Sequence, residues 1–220
     1  VPTGNFGDIF AGYVAKRMGL PIRMLRIAAN VNDILPRTLK NGIYEVREVH
    51  ATTSPSMDIQ VSSNFERLLF EAGGRDAAAV RRLMDSLRQS GRFVLPGPML
   101  AAIREEFDAG RADESEISAA IRAAWREGGD LVDPQTAGAL AVADRDDTGT
   151  KIPNIVLSTA HAAKFPDAVE AACGVRPQLP ARLDGLMTRP EQVKVIKNDQ
   201  AEVEKFVALV SRAAKQGVAG

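Results

Sequence analysis

The sequence predicts an α/β protein, and three observations predict it. A glycine-bracketed loop, "VPTGNFGD", runs straight into a helical pattern, "IFAGYVAKRMG". That helix is followed by "PIRMLRIAAN", a short strand-type stretch with Ile22, Leu25 and Ile27 apolar. Loop, helix, strand is the grammar of α/β folds. Beyond it, apolar residues recur at helical spacing through most of the chain, with glycines where helices should stop.

Each element has its own signal. Ile9, Phe10, Tyr13, Val14 and Met18 share one helical face, and Gly19 with Pro21 ends it. "NDILPRTLKNG" is a short helix closing at Gly42, and "IYEVREVHATT" alternates as an exposed or edge strand. "SPSMDIQVSSNFERLLFEAGG" passes from loop to helix, with Ser62, Ser63 or Asn64 as cap and Phe65, Leu68 and Leu69 inward. "RDAAAVRRLMDSLRQSG" is amphipathic, and "RFVLPGPMLAAIREEF" starts like a strand and ends like a helix. "DESEISAAIRAAWREGG" offers Asp113 or Ser115 as cap, and "LVDPQTAGALAVADRDD" begins extended and becomes helical. "NIVLST" is expected as a buried strand, "PDAVEAACG" as a helix, residues 193–196 as a short strand, and Gln200 as the start of a last helix. We divide the chain into a phosphate-loop α/β segment (1–71), a nearly all-helical insertion or subdomain (72–127), and a return to the α/β domain with a C-terminal helix (128–220).

Bulk composition narrows the function. The 220 residues are 45% hydrophobic and 25% charged, ordinary for a globular protein. Lys+Arg and Asp+Glu are each 28, and the basic residues are spread along helical stretches. That argues against a nucleic-acid or anionic-membrane partner. No apolar run reaches the roughly 18 residues of a membrane span. Cys173 is the single cysteine, which excludes an internal disulfide and a cysteine-based metal site, and fits a reducing compartment such as the cytoplasm. No metal is expected. The chain opens on Val1 without a methionine, and we expect an upstream part of the protein to precede it.

The opening loop carries the chemistry. Gly4 and Gly7 bracket Asn5 and Phe6, and glycines permit close backbone approach. Successive N–H groups there can converge on an anion, helped by the positive end of the following helix. No lysine or arginine lies in the loop, so amide dipoles and the Thr3 or Asn5 side chains would do the holding. That suits a phosphate held permanently better than one being transferred. Asp8 would repel an anion and is expected to turn away and cap backbone donors. Spacing alone favours a plain structural turn, since two glycines before a helix are more often only that.

"VPTGNFGDIFAGYVAKRMGLPI" closely resembles the cofactor phosphate loop and following helix of threonine synthase, a pyridoxal-phosphate enzyme of fold type II. "SPSMDIQVSSNFERLLFE", "VDPQTAGA" and "STAHAAKFPDAV" resemble three further blocks of that family, in the same order. The resemblance spans the chain from Val1 to about Val169. It implies part of a fold type II large domain. It also implies that Gly4, Asn5, Phe6 and Gly7 cradle the phosphate of pyridoxal 5′-phosphate and that Thr159 faces the pyridine nitrogen, with Ser158 as a rival.

Other residues stay open. Asn64 and Arg67 are candidates for the substrate phosphate, or a capped helix with a solvated arginine. His161 sits beside Thr159 and shapes the pocket or the local backbone, while His50 ends a strand candidate. Asp133 and Thr136 are a helix start or site residues, and Gln135 stands where many family members carry histidine. The implied reaction converts O-phospho-L-homoserine and water to L-threonine and phosphate. It needs a Schiff-base lysine, which family members carry well before the phosphate loop. Lys16, Lys40, Lys151, Lys164, Lys194, Lys197, Lys205 and Lys215 are the lysines present, and none sits in such a motif. No catalytic residue is therefore assigned within this chain, which reads as an incomplete, inactive C-terminal part whose partner is the missing N-terminal part. The alternatives are a phosphate- or nucleotide-binding regulatory module, a helical interaction domain carried by 72–127, and another fold type II lyase.

Overall fold

A computed structural model describes residues 1–145 and 152–212. Contacts divide the chain into two units, Val1–Gln178 and Leu179–Gly220. The first contains both hydrophobic cores.

The loop leads into α1 (Gly7–Arg17), then β1 (Leu25–Ala29). Residues 1–3 lie parallel to β1 through the bridge Pro2↔Ala28, with Thr3 N–H donating to Ala28 O and Ala28 N–H to Val1 O. Helix α2 (Ile34–Asn41) closes at Gly42, whose φ of 77° is left-handed and suits glycine. Strand β2 (Ile43–Glu45) pairs antiparallel with β3 (Arg92–Val94), and Phe93 stacks on Tyr44 across the pair at 4.7 Å. Between them come α3 (Phe65–Ala72) and α4 (Ala77–Ser90), the latter capped by Asp76. After β3 follow α5 (Gly97–Glu106) and β4 (Phe107–Arg111), which pairs parallel to β1 in the register Leu25↔Phe107. Helix α6 (Glu114–Ala123) opens on a capping box between Asp113 and Glu116 and runs into a π turn, Ala124–Gly128. Helices α7 (Pro134–Asp144) and α8 (Pro166–Cys173) complete the unit.

Two cores position these elements. One gathers Phe6, Ile9, Tyr13, Ile27, Tyr44, Phe65, Phe93 and Phe107. The other packs Ile117, Ile121, Val142 and Val169 of α6, α7 and α8 with Ala28 of β1. Small residues set the spacing there: a Cβ on Gly110 of β4 would lie 2.7 Å from Val142 Cγ1.

Four expectations are corrected. The strand expected over 43–53 stops at Glu45, because β3 offers three partners and the chain then turns away to bond its His50 backbone to the Asn32 side chain. Region 72–127 is not nearly all helical, since β3 and β4 lie within it. "NIVLST" is neither strand nor buried: no strand pairs with it among the described residues, and Ile155 is 80% exposed. Residues 193–196 likewise form no strand, with Val195 87% exposed.

The second unit, described to residue 212, holds two short 3-10 turns, Ala181–Leu183 and Leu186–Thr188, and α9 (Gln200–Val210) capped by Asp199. Lys151 and Lys215 lie outside the described residues.

Candidate functional site

Phe6 organises the opening loop. Its side chain is buried at 1% exposure, with its ring 5.3 Å from Phe65 and 5.5 Å from Phe107. Its backbone has φ 70° and ψ 3°, a left-handed conformation that costs an L-residue roughly 1–2 kcal/mol. Burying a phenylalanine outweighs that, so the ring fixes the main chain in a shape it would otherwise avoid. Right- and left-handed residues in succession make a concave N–H surface suited to anions.

The hydrogen bonds agree. Gly7 N–H donates to Asn5 Oδ1 at 2.9 Å, closing a turn on the Asn5 side chain. Among the described residues, the N–H groups of Gly4, Asn5 and Phe6 find no acceptor. The Gly4 carbonyl accepts from Ser62 Oγ at 2.7 Å, and the Asn5 carbonyl accepts from Asn64 N–H at 2.9 Å and Asn64 Nδ2 at 3.1 Å. Gly4 cannot carry a side chain here, since a Cβ would lie 2.8 Å from Ser56 O. A Cβ on Gly7 would stand 3.1 Å from Asn5 Oδ1. Three free main-chain donors on a glycine-lined loop at the start of an eleven-residue helix fit a phosphate.

The segment behind the loop is itself pinned. Asp58 Oδ1 accepts from Asn30 Nδ2 (2.8 Å), Asn32 Nδ2 (3.1 Å) and Thr52 Oγ1 (2.6 Å), and Oδ2 accepts from Thr52 N–H (2.8 Å). Asn30 and Ser54 are fully buried partners, joined at 2.9 Å. This network ties residues 52–58 to the C-terminal end of β1, under Gly4.

The other sequence-derived residues fall in different places. Thr159 and Ser158 are exposed in residues 152–160, which form neither helix nor strand, and no hydrogen bond joins Thr159 to the loop. His161 Nδ1 accepts from Ala163 N–H at 3.1 Å, so its side chain caps a 3-10 turn. His50 is exposed, with its backbone on Asn32. Arg67 is exposed and lines a groove of about 520 Å³ with Phe10, Glu66 and Phe70. Asp133, fully buried, caps α7 by accepting from Gln135 N–H and the N–H and hydroxyl of Thr136. Gln135 is 3% exposed, and its carboxamide has no partner among the described residues. Lys16 pairs with Glu106 at 2.5 Å, and Lys164 lies over the Phe165 ring.

Two expectations are corrected. Asp8 is exposed and caps nothing; α1 has no side-chain cap bond. Asn64 occupies the N-cap of α3 without capping it, because its amide reaches back to Asn5. The second contact was invisible in the sequence, since its partners stand 59 residues apart.

A family model described as "Threonine synthase, C-terminal" matches residues 136–207. The threonine synthase of Pseudomonas aeruginosa is 44% identical over 209 residues, covering 94% of this chain and 45% of that protein. A crystal structure of pyridoxal-phosphate-bound threonine synthase from Brucella melitensis is 60% identical with a TM-score of 0.84, over 96% of this chain and 45% of that one. This chain matches the C-terminal portion of threonine synthases. The yeast threonine synthase structure agrees, at 37% identity and a TM-score of 0.81 over 97% of this chain. The match to the threonine synthases runs almost end to end along this chain, which spans about half the length of the relatives it matches.

Proposed function

We propose that this chain is part of a threonine synthase that converts O-phospho-L-homoserine and water to L-threonine and phosphate with pyridoxal 5′-phosphate. The supporting observation is that 96% of this chain matches 45% of the pyridoxal-phosphate-bound threonine synthase of Brucella melitensis at a TM-score of 0.84. The free N–H groups of Gly4, Asn5 and Phe6 are where its phosphate fits, and Gly7 leaves room for the Asn5 turn beside them. When bound, the cofactor supplies an electron sink that lets protons leave carbon atoms next to an amino group.

This chain's residues bind and orient. The loop amides hold the phosphate without a charged side chain, so the anion is gripped in one orientation by dipoles. Thr159 is assigned to the ring nitrogen, where a hydroxyl offers a neutral hydrogen bond rather than a charge. His161 Nδ1 accepts a backbone N–H, and we assign the residue to holding the local backbone. No lysine here is assigned to the cofactor; that residue, and the groups that move protons, are assigned to a further part of the same protein. That part would also cover the apolar stretch around Ile155. Among the described residues no helix is long and apolar enough to cross a membrane. With one free cysteine, we place the enzyme in the cytoplasm.

The test is phosphate release from O-phospho-L-homoserine by the full-length protein, with borohydride labelling of the cofactor-bound protein. Turnover, with one lysine labelled outside these 220 residues, is expected. Stoichiometric labelling of a lysine within this chain, or reversible phosphate binding without visible-edge absorbance or turnover, overturns the proposal.

A further inference from the structure

We propose that Ser62 and Asn64 are positioning residues that aim the Asn5 and Phe6 amides at the bound phosphate by holding the two preceding carbonyls away from it. The inference rests on the reading of the loop as a phosphate cradle and goes beyond it, to residues that do not touch the phosphate.

A peptide unit is planar and trans, so its C=O and N–H point in opposite directions. The Gly4 carbonyl and the Asn5 N–H belong to one unit; the Asn5 carbonyl and the Phe6 N–H belong to the next. Ser62 Oγ holds the first carbonyl at 2.7 Å. Asn64 holds the second with two donors, its N–H at 2.9 Å and Nδ2 at 3.1 Å. Both carbonyls are therefore drawn to the side that residues 62–64 occupy, and both N–H groups leave on the other. Those are two of the three loop donors that find no acceptor among the described residues.

The side chains are spared for this work. Asn64 forgoes the capping bond its N-cap position offers. Ser62 is 4% exposed, and its own N–H is held by the Tyr44 hydroxyl at 2.7 Å, so the hydroxyl that reaches Gly4 has little freedom to leave. An unheld carbonyl would be free to rotate toward the phosphate and present an oxygen to an anion. Preorganised amides avoid that reorganisation on binding.

The experiment compares pyridoxal 5′-phosphate with pyridoxal, which lacks the phosphate, on the full-length protein and on Ser62→Ala, Asn64→Ala and Ser62→Thr. Dissociation constants are measured by absorbance, ³¹P chemical shift reports the bound phosphate, and melting of the cofactor-free protein reports folding. One lost hydrogen bond corresponds to a fall of roughly 3- to 10-fold in affinity. We expect that fall for the phosphorylated ligand in both alanine variants, a moved ³¹P resonance, unchanged pyridoxal affinity and recovery in Ser62→Thr. Equal weakening toward both ligands, or no change in either alanine variant while the parent binds, overturns the positioning role alone. A parent protein that shows no preference for the phosphorylated ligand overturns the cradle reading beneath it.

Discussion

Gly4 and Tyr44 show how one atom can decide the outcome. At Gly4 the nearest obstacle to a Cβ is a backbone oxygen, Ser56 O at 2.8 Å, which no rotamer change can move aside. Gly4→Ala therefore forces the loop off its backing, at about 1–3 kcal/mol of stability. Cofactor affinity should fall with it, read by denaturant titration and by pyridoxal 5′-phosphate binding. Tyr44 carries the other effect. Burial pushes its hydroxyl above the ordinary phenol value, partly countered by the bond from Ser62 N–H. Between about pH 10, where the unfolded phenol ionises, and the higher folded value, the folded chain keeps a proton the unfolded chain has released. Stability is therefore intact below pH 10 and falls as pH climbs through the folded value. Tyr44→Phe should abolish that alkaline limb. It should also cost about 1–3 kcal/mol at neutral pH, because it strips the buried Ser62 N–H of its acceptor while keeping the stack on Phe93. Urea midpoints at pH 8 and pH 11 separate the two effects; an unchanged difference between them would refute the assignment.

Among elements, local signals were readable and long-range ones were not. Helices α3, α4, α6, α7 and α8 all fall where apolar spacing and glycine or aspartate punctuation put them. At residues 4–7 the sequence shows two glycines before a helix, while the left-handed turn at Phe6 depends on packing against Phe65 and Phe107 far along the chain. Strand β4, "FDAGR", has no apolar alternation, and what makes it a strand is its backbone ladder with β1, 82 residues away. "NIVLST" has the composition of a strand and no partner to pair with among the described residues. The Ser62 hydroxyl on Gly4 O spans 58 residues and leaves no pattern in the sequence at all. Caps offer a test of how context scales a local signal. Asp113 and Asp133 read alike in the sequence, yet Asp113 is exposed and Asp133 is fully buried with three donors on it. Asp133→Ala should cost about 2 kcal/mol or more, since three donors lose their partner inside the protein. Asp113→Ala should cost less, and thermal melts of the two variants that come out equal would show that burial does not set the difference.

At the scale of the whole molecule the question is what the exposed apolar residues are for. Single apolar side chains at a surface are common and carry no message. Ile155 is different because it stands at 80% exposure in a run with Val156 and Leu157, where the sequence has strand composition and the structure has no strand. The relatives are about twice the length of this chain, and the proposal is that a further part of the same protein covers this stretch. Ile155→Glu discriminates between a surface residue and a covered one. On the 220-residue chain alone the substitution removes an exposed apolar group and should leave the melting temperature unchanged while lowering light scattering. In the full-length protein it should cost at least the transfer free energy of a buried isoleucine, about 1.5–3 kcal/mol. The cost should be larger still, because a carboxylate would be placed where no partner was provided. A substitution that is silent in both contexts would mean that Ile155 faces water in the complete protein, and the covering segment would have to be sought elsewhere.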